Sequence, residues 1–337
     1  MLKIQENVLL KDFTTLGVGG KARYFVVVKT EDDLKEVLVF AKSRKLSLFV
    51  LGGGSNILIS DHGFSGLVIK NEIKGIKFTN SLNDKVILEV GVGEILDEVI
   101  ALSVSQKLFG LENLSGIPGT VGGAAVQNAG AYGVEIKDCL LSVEGLNITN
   151  GKKFVFDKLD CQFGYRDSIF KKNKKFIITA VTLELSKKVN LRTEYAGLKN
   201  ILSDKQIIKA EDIRKAILKI REDKLPDWHI LPTAGSFFMN PIISEGKYLE
   251  FKERFEEIPG FPESKGKIKV PLAWILDNVC KLKGYTEGNV GLYDKQPLIL
   301  VNNGGATEKE INTFAEKIKK IVLEKTGIEI KMEVEKI

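Results

Sequence analysis

The feature that most constrains this chain is an apolar run, Leu48-Phe49-Val50-Leu51, that stops in three consecutive glycines, Gly52-Gly53-Gly54. The run predicts a buried strand. Glycine accepts positive φ and lets another group approach bare backbone. Successive N–H groups in such a turn form an anion-binding nest, to which Ser55 and Asn56 can add side-chain donors. A pyrophosphate suits the nest, although a tight strand connection with no ligand would use the same glycines.

A second cluster favours the ligand. Gly116-Ile117-Pro118-Gly119-Thr120-Val121-Gly122-Gly123 runs on through Gln127-Asn128-Ala129-Gly130-Ala131-Tyr132-Gly133. Side chains this small leave little to pack, and two backbone cradles suit a dinucleotide whose diphosphate is gripped from two sides. Neither cradle is a Walker A loop, because no G-x-x-x-x-G-K-[ST] occurs. One G-x-G-x-x-A match, at Gly17, Gly19 and Ala22, precedes the strand-like Arg23 to Val28, whereas a Rossmann fingerprint needs a strand before it and a helix after.

A length of 337 residues allows two or three domains, and 44% hydrophobic with 28% charged residues is ordinary for a globular protein. The net charge of +6 comes from scattered lysines and favours anionic small molecules over nucleic acid. Cys139, Cys161 and Cys280 are too far apart in sequence to suggest a disulfide framework or a zinc site, and with only His62 and His229 no metal is expected. The first residues lack a signal-peptide core and no apolar run reaches membrane length. A cytoplasmic protein without membrane or nucleic-acid partners, acting as a monomer, is expected.

Local patterns predict the elements. Residues 24–70 read as strand, helix, strand, loop, strand, with Thr30 capping a helix whose apolar face is Leu34, Val37, Leu38 and Ala41. Val86 to Val90 is a strand, followed by a helix placing Ile95, Val99 and Leu102 on one face. Asn150-Gly151 marks a hairpin in a β-rich stretch ending with Phe176 to Leu185. Ile213, Ile217 and Ile220 stripe a helix near 210–222. Thr307 to Glu310 is a capping-box pattern opening the last helix, striped by Ile311, Phe314, Ile318 and Val322 and stopped by Gly327. A terminal strand over Ile328 to Val334 is expected.

These residues together resemble a known family. Leu51 to Asn56, Gly116 to Gly119, Gln127 to Gly133, Gly164-Tyr165-Arg166-Asp167-Ser168, Lys224-Leu225-Pro226, Ala234 to Pro241 and Leu282-Lys283-Gly284 occur in the order found in UDP-N-acetylenolpyruvoylglucosamine reductases. The resemblance spans nearly the whole chain. It implies an α+β protein with a vanillyl-alcohol-oxidase (PCMH) type FAD-binding fold in two subdomains, 1–70 with 328–337 and 71–206, plus a C-terminal α+β substrate-binding domain, 207–327. It implies FAD and NADPH as cofactors and a UDP-sugar enolpyruvyl ether as substrate, reduced to UDP-N-acetylmuramate for peptidoglycan.

The resemblance also implies roles for particular residues. Gly52, Gly53, Gly54, Ser55, Asn56, Gly119, Thr120, Gly122 and Gly123 match the FAD cradles. Arg166 matches the arginine that stabilises charge on the substrate carboxylate, Ser236 the proton donor, and Glu333 the C-terminal catalytic glutamate. In the family the tail reads Leu-Glu-Pro-Glu-Val-Arg; here Lys331, Met332 and Glu335 replace its first Glu, its Pro and its Arg. Tyr165, Lys224, Asn240, Lys283 and Gln296 match substrate-binding positions, and Tyr195 matches the tyrosine of a mobile loop in one branch. Arg221 stands near Lys224 either as a helper or as a solvated helix-end charge. Two rival readings share these residues. One is a different FAD-linked oxidoreductase of the same superfamily, where His62 near the first cradle would be a flavin-attachment candidate. The other is a non-catalytic flavin or sugar-nucleotide sensor, for which a retained proton donor has little use.

Overall fold

The computed structural model describes residues 2–203 and 208–337. The expected boundary at 206/207 lies outside the described residues. Contacts divide the chain into two compact units: residues up to Val8 with Ala22–Gly54 and Ser65–Asp223 form the first, and Leu9–Lys21, Ser55–Phe64 and Lys224–Ile337 the second. The tail, expected with the first subdomain, therefore groups with 224–327, and the helix Ala210–Lys224 belongs to the first unit almost to its end.

Among the described residues the first unit carries two larger sheets and a two-stranded ribbon, Gly130–Ala131 with Val134–Glu135. One larger sheet orders its strands Gln5–Leu9, Lys21–Val28, Phe64–Asn71 and Leu48–Leu51. Its last two run parallel, with Leu51 beside Lys70; parallel neighbours need a long crossover rather than a hairpin, which leaves room for the glycine turn between them. The helix Glu31–Ser43 opens on a capping box between Thr30 and Asp33 and buries Leu34, Val37 and Ala41.

The other sheet is antiparallel, in the order Lys153–Asp157, Leu140–Asn147, Phe176–Ser186, Lys85–Gly91, Ile76–Asn80. Asn150-Gly151 does turn a hairpin, with Gly151 at φ +69° and its N–H on Asn147 O at 2.8 Å. The helix Leu96–Ser105 buries Leu96, Val99, Ile100, Ser103 and Val104. Ile95 is not on that face as expected: it is the N-cap, extended, 39% exposed, and bridged to Thr120. Leu102 is only partly buried.

In the second unit, strands Thr233–Ser236, Ile299–Asn302, Val290–Leu292 and Thr286–Glu287 form one sheet, and Ile242–Ser244, Lys267–Lys269 and Phe261–Ser264 another. The helix Glu308–Thr326 begins with the Thr307–Glu310 capping box, ends at left-handed Gly327, and buries Ile311, Phe314, Ile318 and Val322. The expected strand over 328–334 is absent among the described residues. Ile328, Ile330 and Val334 alternate inward as a strand would, but only the single bridge Met332–Phe238 flanks them, and ladder pairing begins at Glu335–Lys336, parallel to Ile57–Leu58. Alternation reports which side is buried, not whether a neighbouring strand is present. Among the described residues no helix is long and apolar enough to cross a membrane.

Candidate active site

The two glycine segments meet inside the first unit. A Cβ on Gly53 would lie 2.5 Å from Gly119 Cα, and one on Gly52 would lie 2.9 Å from Thr120 Oγ1. Only hydrogen fits at either position. Gly54 and Gly119 have φ of +66° and +110°, a region favouring glycine. Leu96 N–H donates to Gly119 O at 3.1 Å and Val121 N–H to Glu94 O at 2.9 Å. That pairing leaves the N–H of Thr120, between them, on the outer side. Among the described residues the N–H groups of Gly53, Gly54, Gly119 and Thr120 have no protein acceptor. Orphan donors grouped this way are a place for an anion.

The N–H groups of the next two glycines have acceptors within the fold. Gly122 N–H donates to Val92 O at 3.0 Å, and a Cβ on Gly122 would strike Val92 Cβ at 2.7 Å. Gly123 N–H is capped by Thr120 Oγ1 at 3.3 Å. Gly122 lets the short helix Val121–Gln127 pack close to Val92, and the leading donors of that helix are already used. Ser55 and Asn56 fall in the second unit. There Asn56 holds the tail, its Nδ2 donating to Glu333 O at 3.3 Å and its carbonyl accepting Glu335 N–H at 3.1 Å.

Arg166 sits at φ +55°, strain worth about 1–3 kcal/mol that its surroundings must offset. Gly164 and Asp167 exchange backbone hydrogen bonds of 2.9 and 3.2 Å around it. Fully buried Asn128, itself left-handed at φ +46°, donates from Nδ2 to Gly164 O at 2.8 Å. Ser168 Oγ donates to Val126 O at 2.7 Å, and Lys171 Nζ spans Gln127 Oε1 at 2.8 Å and Arg166 O at 3.2 Å. Arg166 Nη2 then reaches Gly130 O at 2.6 Å, with its guanidinium carbon 5.3 Å from the centre of the Tyr165 ring. A Cβ on Gly130 would come within 3.1 Å of Arg166 Nη1, so that glycine makes room for the fork. Sequence segments 127–133 and 164–168 thus form one interlocked piece.

Beside them, Tyr195 is 45% exposed and packs edge-on to Tyr132, with ring centres 5.1 Å apart. Buried Asn113 ties both segments, donating to Tyr132 O and to Arg192 O at 2.9 Å each. Burial raises the Tyr132 hydroxyl above its ordinary pKa, against the opposing charge of nearby Arg221. Arg221 is not a solvated helix-end charge: burial lowers its pKa, and a Cβ on Gly116 would lie 2.9 Å from its Nε. Burial alone would raise the Asp97 carboxyl. The Arg214 fork at 2.5 and 2.8 Å, the Gly116 N–H at 2.6 Å and the charge of Arg221 outweigh it and hold Asp97 below its ordinary value.

In the second unit Ser236 ends a strand that bulges between Thr233 and its own pairing with Ile299, where Gly235 takes φ +72°. Thr233 Oγ1 accepts Gly235 N–H at 3.2 Å, fixing the turn. Phe237 and Phe238, fully buried behind Ser236, anchor it. The tail runs alongside: Met239 N–H donates to Lys331 O and Glu333 N–H to Phe237 O, both at 2.9 Å. The structure therefore brings Ser236 and Glu333 onto neighbouring stretches of backbone. Asn240 Oδ1 accepts Leu272 N–H at 2.9 Å, Gln296 carbonyl accepts Ile299 N–H at 3.0 Å, and exposed Lys283 pairs with Asp277 at 3.2 Å. Lys224 is exposed.

Sequence reasoning missed Asn128, Asn113 and Lys70, whose Nζ donates to Gly52 O. An Asn in a glycine-rich run was the available signal for the first, because Asn tolerates the left-handed region. Burial pushes the thiols of Cys139 and Cys161 up to about 12, so both are inert.

Known proteins match this chain along its length. Residues 22–156 match a family model described as an FAD binding domain. Residues 226–337 match one described as the C-terminal domain of UDP-N-acetylenolpyruvoylglucosamine reductase. The UDP-N-acetylenolpyruvoylglucosamine reductase of Pseudomonas aeruginosa is 37% identical over 335 residues, covering 98% of each chain. That of Amoebophilus asiaticus is 38% identical over 337 residues, covering 99% of each. Among solved structures, the reductase of Thermus caldophilus gives a TM-score of 0.69 at 26% identity, covering 100% of this chain and 99% of its own.

Proposed function

The chain belongs to the UDP-N-acetylenolpyruvoylglucosamine reductase family, FAD-dependent and NADP-linked oxidoreductases, and on that premise we propose how its own residues divide the work of reducing UDP-N-acetylenolpyruvoylglucosamine to UDP-N-acetylmuramate. Bound FAD supplies the hydride chemistry, from NADPH to the methylene carbon of the enolpyruvyl ether. The cradle fits that cofactor. The orphan N–H groups of Gly53, Gly54, Gly119 and Thr120 suit a diphosphate, and the close approach of Gly53 to Gly119 leaves backbone bare on both sides.

An enol ether is electron-rich, so accepting hydride needs help. Negative charge builds beside the carboxylate, and a preorganised donor aimed there lowers the barrier. Arg166 takes this role, its planar fork suiting a carboxylate. Ser236 gives its proton to the carbon that becomes carbanionic, and Glu333, protonated when substrate binds, donates to the carboxylate. Tyr165, Lys224, Asn240, Lys283 and Gln296 hold the sugar nucleotide, and Tyr195 closes over the UDP moiety. The two larger sheets of the first unit serve as FAD-binding subdomains. The enzyme works as a cytoplasmic monomer with neither membrane nor nucleic acid as partner, in keeping with its scattered charges and lone cysteines.

The observation that carries this reading is the interlock that holds Arg166 left-handed against Gly130, since strain maintained by so many bonds belongs to a working residue. The test is spectroscopic. The purified protein should be yellow, and NADPH oxidation should depend on the enolpyruvyl substrate. Oxygen-linked turnover of another alcohol, or bound flavin without turnover, would overturn it.

A further inference from the structure

The first glycine turn has a cation behind it. Lys70 lies on the strand Phe64–Asn71, beside Leu51 in parallel register, and its Nζ donates to the carbonyl of Gly52. Leu67, Val68, Ile69 and Asn71 around it are buried, and Lys70 itself is partly so. Among the described residues no carboxylate lies within ion-pair distance of it. A half-buried ammonium without a counter-ion is a poor packing choice. Burial lowers its pKa, which only the more distant charge of Glu72 resists.

The carbonyl that Lys70 holds and the N–H of Gly53 are two ends of one peptide group. Among the described residues that N–H has no protein acceptor, and it stands where the turn faces Gly119. A cation on the oxygen draws electron density from the peptide and makes its N–H a stronger donor. It also fixes the plane of a peptide between two glycines, which would otherwise turn freely.

We propose that Lys70 is a cofactor-binding residue that charges the Gly52–Gly54 turn from behind, strengthening its grip on the FAD diphosphate. The proposal rests on the reading that this turn holds the diphosphate.

Dilution of the yellow holoprotein, followed by recovery of free-flavin fluorescence, measures the grip without turnover. K70M should release FAD about tenfold faster or more, the scale of a charge-assisted hydrogen bond, while K70R stays within about threefold of the unaltered protein. K70Q, which keeps a donor and loses the charge, should fall between them and serves in place of K70M if that variant does not fold by circular dichroism. If K70M and K70Q both retain FAD as the unaltered protein does, while G53A loses it, the cradle reading stands and the role of Lys70 is overturned. If G53A also retains FAD, the cradle reading fails and the proposal falls with it.

Discussion

The backbone N–H of Glu333 donates to the carbonyl of Phe237 at 2.9 Å, so the C-terminal glutamate is pinned to the residue that follows Ser236. Nothing in the sequence distance between them suggests this. The bond fixes the spacing of two acids that would act on one carboxyl-bearing fragment.

Ser236→Ala should separate the two half-reactions. Flavin reduction by NADPH should remain near normal, whereas reoxidation by the enolpyruvyl substrate should slow about 100- to 10,000-fold, the range of general acid catalysis. Stopped-flow absorbance at the flavin band reads both. Equal slowing of the two would show that Ser236 is not the proton donor.

Gly53→Ala should give colourless protein. The added methyl would sit 2.5 Å from Gly119 Cα, against backbone that has no side chain to swing away. The ratio of flavin to protein absorbance after purification is the check, and normal FAD content would disprove the close approach.

Asn128→Ala should both destabilise the fold and misplace Arg166. It removes the shorter of the two hydrogen bonds to the Gly164 carbonyl, leaving only the Asp167 N–H, at a fully buried position, and puts alanine at φ +46°. The expected loss is about 1–3 kcal/mol in urea unfolding, with kcat falling further than FAD affinity. A variant with unchanged kcat would mean that Arg166 does not depend on this support.

Tyr195→Phe should weaken substrate binding more than it slows hydride transfer. Its ring rests edge-on against Tyr132 with the side chain nearly half exposed, a poise suited to a lid. Calorimetric titration with UDP-sugar against single-turnover rates separates the effects; unchanged affinity would count against a lid.

Asp97 should govern part of the acid sensitivity of the first unit. Its folded pKa is depressed, so the stabilisation is complete above the unfolded value, about 3.9, and is lost as pH falls through the folded one. Asp97→Asn should flatten stability against pH in that acid window and cost about 1–3 kcal/mol at pH 7 by leaving Arg214 without its partner. An unaltered acid limb in urea midpoints from pH 2 to 5 would assign it to other carboxylates.

Elements fixed by near neighbours were legible in the residues. The helix cap at Thr30, the capping box at Thr307, the Asn150-Gly151 turn and the stripe from Ile311 to Val322 each need only a few adjacent positions. The close approach of the two glycine segments was legible too, because so few side chains leave so few alternatives. The tail was not: Ile328 to Val334 alternates like a strand, yet its fate depends on whether another strand lies alongside, which local pattern does not encode. Arg221 was ambiguous for a similar reason, since its burial depends on Gly116 and Tyr132, more than 80 positions away. Asn128 and Lys70 act through carbonyls on distant segments, and a single chain carries no mark of such pairings.

The unpaired amides along Gly53, Gly54, Gly119 and Thr120 have a practical corollary for anyone handling this molecule. A fold that leaves donors waiting for an anion draws part of its cohesion from whatever fills them, so melting temperature should climb with free FAD concentration by mass action. Colour in the tube and resistance to heat or protease then become two gauges of one occupancy, and a bleached preparation is a weakened one.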